Sequence, residues 1–161
     1  MRWESSSDRD KHALEAIEEV ITELNEKSDT AKNGNELPFF PFLIVVEGRR
    51  DVASLRNLGI KPEIEIWPCA NKPIAAFCEK IAETKKSVVI LTDWDRKGGI
   101  LASALKNQLQ NLDVSCDGDC REKLLYYTKK EIKDVESLYT HFIKLKRKVD
   151  PASCNEEDED I

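Results

Sequence analysis

Apolar residues along this chain fall into two patterns, short unbroken runs and helical spacings. Residues 10–25 place Ala13/Leu14, Ile17, Val20/Ile21 and Leu24 at the three-to-four-residue spacing of an amphipathic helix, with Ser7 or Asp8 set to cap its start. The runs FLIVV (42–46) and SVVILT (87–92) are short and rich in Val, Ile and Leu, and read as buried parallel strands. A helical pattern follows each: 49–58, stopped by Gly59 in the position of a C-terminal cap, and 97–111. Between these units a strand at 63–67 leads to a helix near 72–85, with Asn71 as its cap. After a charged loop around Asp113–Asp119, a fourth strand is predicted near 123–127 and a last helix over 131–147, with apolar positions at Ile132, Val135, Leu138/Tyr139, Phe142 and Leu145. Strands alternating with helices predict a three-layer α/β/α, Rossmann-like fold. Its central, mostly parallel sheet has about four strands and right-handed crossovers, with an extra N-terminal helix.

Composition divides the chain. The segment SDTAKNGNE (28–36) reads as a linker, and the tail from Pro151, with five consecutive acids at 156–160, reads as disordered. The expected units are therefore 1–36, a helix and linker against the core; 37–148, the main domain; and 149–161, an acidic tail. The net charge of −6 argues against tight non-specific duplex binding. Yet residues 42–112 carry eleven basic and eight acidic side chains, so contacts with phosphates remain open to the central body. No run approaches a membrane span, and MRWESSSDRD lacks the apolar core of a signal peptide, so a cytoplasmic protein without membrane partners is expected. The five cysteines read as free thiols in a reducing compartment, with a Cys116–Cys120 disulfide or soft-metal pair as the alternative. His12 and His141 read as surface residues, and Trp94 as a core residue.

The candidate chemistry lies where the two apolar runs end. Glu47-Gly48 closes the first and Asp93-Trp94-Asp95 the second, so the three carboxylates are expected at the carboxyl edge of one sheet, where open α/β folds bind ligands. Converging carboxylates resist ionising together unless a cation joins them, and oxygen-only donors suit Mg²⁺, with Mn²⁺ as a substitute. Taken singly, each acid reads equally as a helix cap; their conjunction points to metal. Glu47 serves either as a third ligand or as a proton shuttle. Gly48, Arg49, Arg50, Arg96 and Lys97 follow these acids and are candidates for phosphate contact, their alternative role being to pair with Asp51 and the site acids.

The segments VVEGRRDVASLRNLG (45–59) and VVILTDWDRKGG (88–99) resemble the Toprim domain, in which a Glu-Gly ends one strand and an Asp-x-Asp ends a later one. The resemblance covers roughly residues 37–140 and is strongest to small archaeal single-domain Toprim proteins. It implies a Toprim fold, acid–base work for Glu47 and a Mg²⁺ site at Glu47, Asp93 and Asp95. Two classes of function follow. One is a Mg²⁺-dependent enzyme of phosphodiester bonds, foremost a nuclease acting on RNA or DNA, with a primase-like nucleotidyltransferase as a further option. The other is a non-catalytic module that docks nucleic acid within a larger repair, replication or RNA-processing assembly. A tyrosine nucleophile is not implied, because topoisomerases carry that residue on a separate domain.

Overall fold

The computed structural model describes residues 5–27, 40–68 and 73–152. The linker, most of the acidic tail, Cys69, Asn71 and Cys154 lie outside these residues. Helix α1 (Ser6–Glu26) is capped by Ser5, whose Oγ accepts the Asp8 N–H at 3.1 Å, so the cap sits two residues before the earliest predicted one. Then follow β1 (Phe42–Val46), α2 (Arg49–Asn57), β2 (Ile64–Ile66), α3 (Ile74–Glu83), β3 (Ser87–Ile90) and α4 (Arg96–Asn111). The chain closes with β4 (Cys116–Asp117), α5 (Asp119–Thr128) and α6 (Leu138–Val149). Gly59 follows α2 with φ +86°, the left-handed geometry expected of its C-terminal cap.

The four strands pair in parallel in the order β2-β1-β3-β4. Residues of β1 alternate between two apolar clusters. Phe42, Ile44 and Val46 face a core built with α1, α2, α5 and α6, and Leu43 and Val45 face one built with α3 and α4. All five are buried, as a central strand between two helical layers requires. The N-terminal helix is part of the first layer: Ile17, Val20 and Leu24 are buried in that core. Asn25 ties the end of α1 to the turn after α2, donating from Nδ2 to Gly59 O at 2.8 Å and accepting the Lys61 N–H at 2.9 Å.

Two predicted elements differ. Residues 123–127 form the body of α5, and the fourth strand lies instead at Cys116–Asp117, inside the segment read as a charged loop. The burial of Cys120, Leu124 and Thr128, four residues apart, together with the exposure of Tyr126 and Tyr127, follows a helical period. A two-residue edge strand offers no alternating pattern to read. The last helix starts at Leu138 rather than near 131. Asp134 Oδ1 accepts the Ser137 N–H at 2.8 Å, a side-chain turn that competes with the helical ladder. The backbone of Lys133 and Val135 is committed elsewhere, to the β3–α4 turn. No helix among the described residues is long and apolar enough to cross a membrane.

Candidate functional site

The parallel pairing of β1 with β3 brings the ends of both apolar runs side by side. Glu47, one residue beyond β1, places Oε2 2.7 Å from the backbone nitrogen of Asp93 and accepts its N–H. Asp93 Oδ1 in turn accepts the Val135 N–H at 3.1 Å. Burial drives the Asp93 carboxyl up to about 7. The Val135 N–H opposes the shift, while the charges of Asp51 and Glu47, and a side-chain hydrogen bond with Glu47, add to it. Burial and the neighbouring charges thus shift this carboxyl toward its protonated form near neutral pH.

Asp51 belongs to this group more closely than its sequence context suggested. It is 5% exposed, and its Oδ2 accepts the Gly48 N–H at 3.0 Å, reaching back from the first turn of α2 to its N-cap. Burial raises its titration, the Gly48 and Glu47 backbone N–H groups oppose that, and the charges of Glu47 and Asp134 raise it further. It does not pair with Arg50, whose guanidinium instead meets Glu136 at 3.3 Å. Asp95 caps α4, with Oδ1 accepting the Gly98 N–H at 2.7 Å. Its cap role and its place beside Asp93 coexist, but in this arrangement Glu47, Asp93 and Asp95 do not gather their ligand atoms within 4.8 Å of one another. Arg49, Arg96 and Lys97 are exposed beside the acids. The Gly48 N–H, a candidate for phosphate, is taken by Asp51.

A buried guanidinium supports the edge from below. Arg121, on α5 and 7% exposed, donates Nε to Thr92 O at 3.0 Å and Nη2 to Asp93 O at 2.7 Å. The two bonds fix the carbonyls of the turn that carries Asp93. Thr92 Oγ1 donates to Gly98 O at 2.8 Å, and Trp94 donates its backbone N–H to Lys133 O and Nε1–H to Thr128 Oγ1. Trp94 is thus a core residue, as expected. Nothing in the local sequence marks Arg121, because its partners are twenty-eight and twenty-nine residues away. Asp51 carried a signal, an acid three residues after the helix-capping Gly48.

A second acidic group lies away from this edge. Glu23, Asp117 and Cys120 hold ligand atoms within 4.8 Å of one another and could hold a divalent metal ion. Lys27 already places its ammonium 3.3 Å from Glu23 Oε1 and 3.7 Å from Asp117 Oδ2, and burial pushes the Cys120 thiol up to about 12. Cys78, Cys116 and Cys120 are all free. Cys116 packs with the α3–α4 cluster and Cys120 with the opposite one, so the sheet separates the two thiols considered for a disulfide.

The Toprim domain model matches residues 42–125, which run from β1 through most of α5. The chain belongs to the Toprim domain family. A UPF0292 protein of Methanosarcina barkeri is 44% identical over 135 residues, covering 84% of this chain and 86% of the relative. The UPF0292 protein MJ1624 of Methanocaldococcus jannaschii is 33% identical over 129 residues, covering 80% and 88%. Among solved structures, a putative protein from Aquifex aeolicus aligns with a TM-score of 0.53 at 21% identity, over 76% of this chain and 94% of that one, a likeness of fold. The Toprim match spans Glu47, Asp51, Asp93, Asp95 and Arg121, whereas α1 and α6 lie outside it.

The proton held by Asp93 makes a stability prediction. A carboxyl raised from 3.8 to about 7 binds its proton more tightly in the folded than in the unfolded state, so metal-free stability declines as pH rises across that window. Asp93→Asn mimics the protonated form and keeps an acceptor for Val135. In EDTA at pH about 8 it is expected to exceed wild type by about 1–2 kcal/mol, a value discounted for solvent screening, and to match it near pH 4. Thermal melts across this range check it; parallel curves for the two proteins would refute it.

Proposed function

We propose that this Toprim protein is a Mg²⁺-dependent phosphodiester enzyme, foremost a nuclease acting on RNA or DNA. The observation that carries the reading is the carboxyl of Asp93 at the carboxyl edge of β1 and β3, driven up to about 7 by burial first and by the neighbouring Asp51 and Glu47 charges after it. Such an edge is relieved by a divalent cation, and its donors, all oxygen, fit Mg²⁺ or Mn²⁺. Asp93 and Asp95 are the ligands, Asp95 through the oxygen not engaged at the α4 cap, with Glu47 beside them. When bound, the ion supplies charge for a phosphate oxygen. Glu47 takes or returns the proton of the attacking or leaving oxygen. Arg49, Arg96 and Lys97 orient the phosphates of the strand, and Arg121 keeps the Asp93 turn from yielding.

Incubation of the purified protein with Mn²⁺ or Mg²⁺ and labelled single-stranded and structured RNA and DNA tests this reading. Cleavage that EDTA abolishes and that falls at least about 10²-fold in Asp93→Ala is expected. Metal-dependent retention of nucleic acid without turnover would instead identify a docking module, and cleavage indifferent to Asp93 would overturn the assignment.

A further inference from the structure

A cavity of about 720 Å³ opens between α1, α5 and α6, within the range of small-ligand sites. Two of its walls, α1 and α6, lie outside the Toprim match. It adjoins the acidic edge through the α5–α6 connection: Lys129, Lys130 and Glu131 line the cavity, and a few residues later Lys133 and Val135 bond the Trp94 and Asp93 turn.

Three features of the lining are unexplained by folding. First, His141 was expected at the surface, yet it is half-buried and its Nε2 is shielded from water with no hydrogen-bond partner among the described residues. A polar atom so placed costs stability. Second, Tyr126 and Tyr127 stand 68% and 41% exposed, with rings 4.9 Å apart and nearly perpendicular, so they offer aromatic faces to solvent. Third, Arg9, Lys129, Lys130 and Lys148 line the cavity without an ion pair among the described residues, whereas Lys123 is engaged by Glu19.

The acids Asp10, Glu15 and Glu131 also line it. A polyanion filling the whole cavity would meet them, so the charge pattern suits a ligand that is anionic at one end and aromatic at the other. We propose that this cavity binds a nucleotide unit, with the base against Tyr126 and Tyr127 and the phosphate at Lys129 and Lys130. Stacking on tyrosine tolerates any base, and lysine recognises phosphate as a point charge. The unit is either a free mononucleotide or the end of a nucleic-acid strand, which present the same chemistry.

The full-length protein, in EDTA, is titrated into two probes: ethenoadenosine monophosphate, read by its own fluorescence, and a short 5′-phosphorylated, 3′-dye-labelled single strand, read by anisotropy. Saturable binding of at least one probe is expected, weakened at least about fivefold in Tyr126→Ser/Tyr127→Ser. In Lys129→Gln/Lys130→Gln, binding weakens and loses part of its salt dependence. These four side chains are exposed, so unchanged melting temperatures accompany both variants. Binding of the mononucleotide as tight as that of the strand identifies a free nucleotide; binding of the strand alone identifies a strand end. No saturable binding of either probe, or binding that neither double variant weakens, overturns the proposal. Because EDTA removes the metal-dependent edge from the measurement, this failure is separate from a failure of the nuclease reading.

Discussion

Glu47→Gln is expected to lower turnover by about 10²–10⁴-fold while leaving metal and nucleic-acid affinity near wild type. The amide keeps an oxygen able to accept the Asp93 N–H, now made at 2.7 Å, so the turn between β3 and α4 stays in place. What is lost is the capacity to take up and release a proton near neutral pH. If Glu47 acts chiefly as a ligand, the variant instead needs more Mg²⁺ for half-activity, and excess metal restores much of the rate. Metal titrations of cleavage at matched substrate distinguish the two. Unchanged activity at every metal concentration would remove Glu47 from the chemistry.

The two adjacent glycines of α4 are expected to respond with opposite signs. A Cβ on Gly98 would lie 2.0 Å from Asp93 O and under 3 Å from Asp93 C and N, all backbone atoms with no freedom to yield. Gly98→Ala should therefore push the Asp93 turn away from Glu47, at a cost of about 2–3 kcal/mol and roughly 5–10 °C in Tm. A Cβ on Gly99 would meet only Arg121 Nη2, at an ordinary 3.8 Å. Gly99→Ala removes unfolded-state freedom from a helical position and should stabilise by about 0.5–1 kcal/mol. Thermal melts of both variants in EDTA check this, and equal destabilisation would show that the close approach at Gly98 does not govern the turn.

Close contact with the Asp93 backbone, five residues earlier, explains why a glycine stands at Gly98. The structure assigns the first glycine to steric clearance for the very turn that carries Asp93.

By itself the sequence determined the elements whose signal is local. The FLIVV and SVVILT runs became central strands because β-branched apolar residues with no polar face can be buried only between two layers. The spacing in α1, α2 and α4 marked their buried stripes, and the ends of the two runs marked where Glu47 and Asp93 would meet. Tertiary structure alone decided the rest. The segment 123–127 carries aromatic residues that suit a strand, and packing of Cys120 and Leu124 into the first core made it a helix. Residues 131–137 carry a helical spacing, but their backbone bonds to the Asp93 turn, forty-two residues away, displaced the helical ladder. The grouping of Asp51 with Glu47 and Asp93, the clamp of Arg121 and the unpartnered nitrogen of His141 likewise depend on contacts between elements. Periodicity records which face of an element is buried; it holds no record of which partner that face will meet.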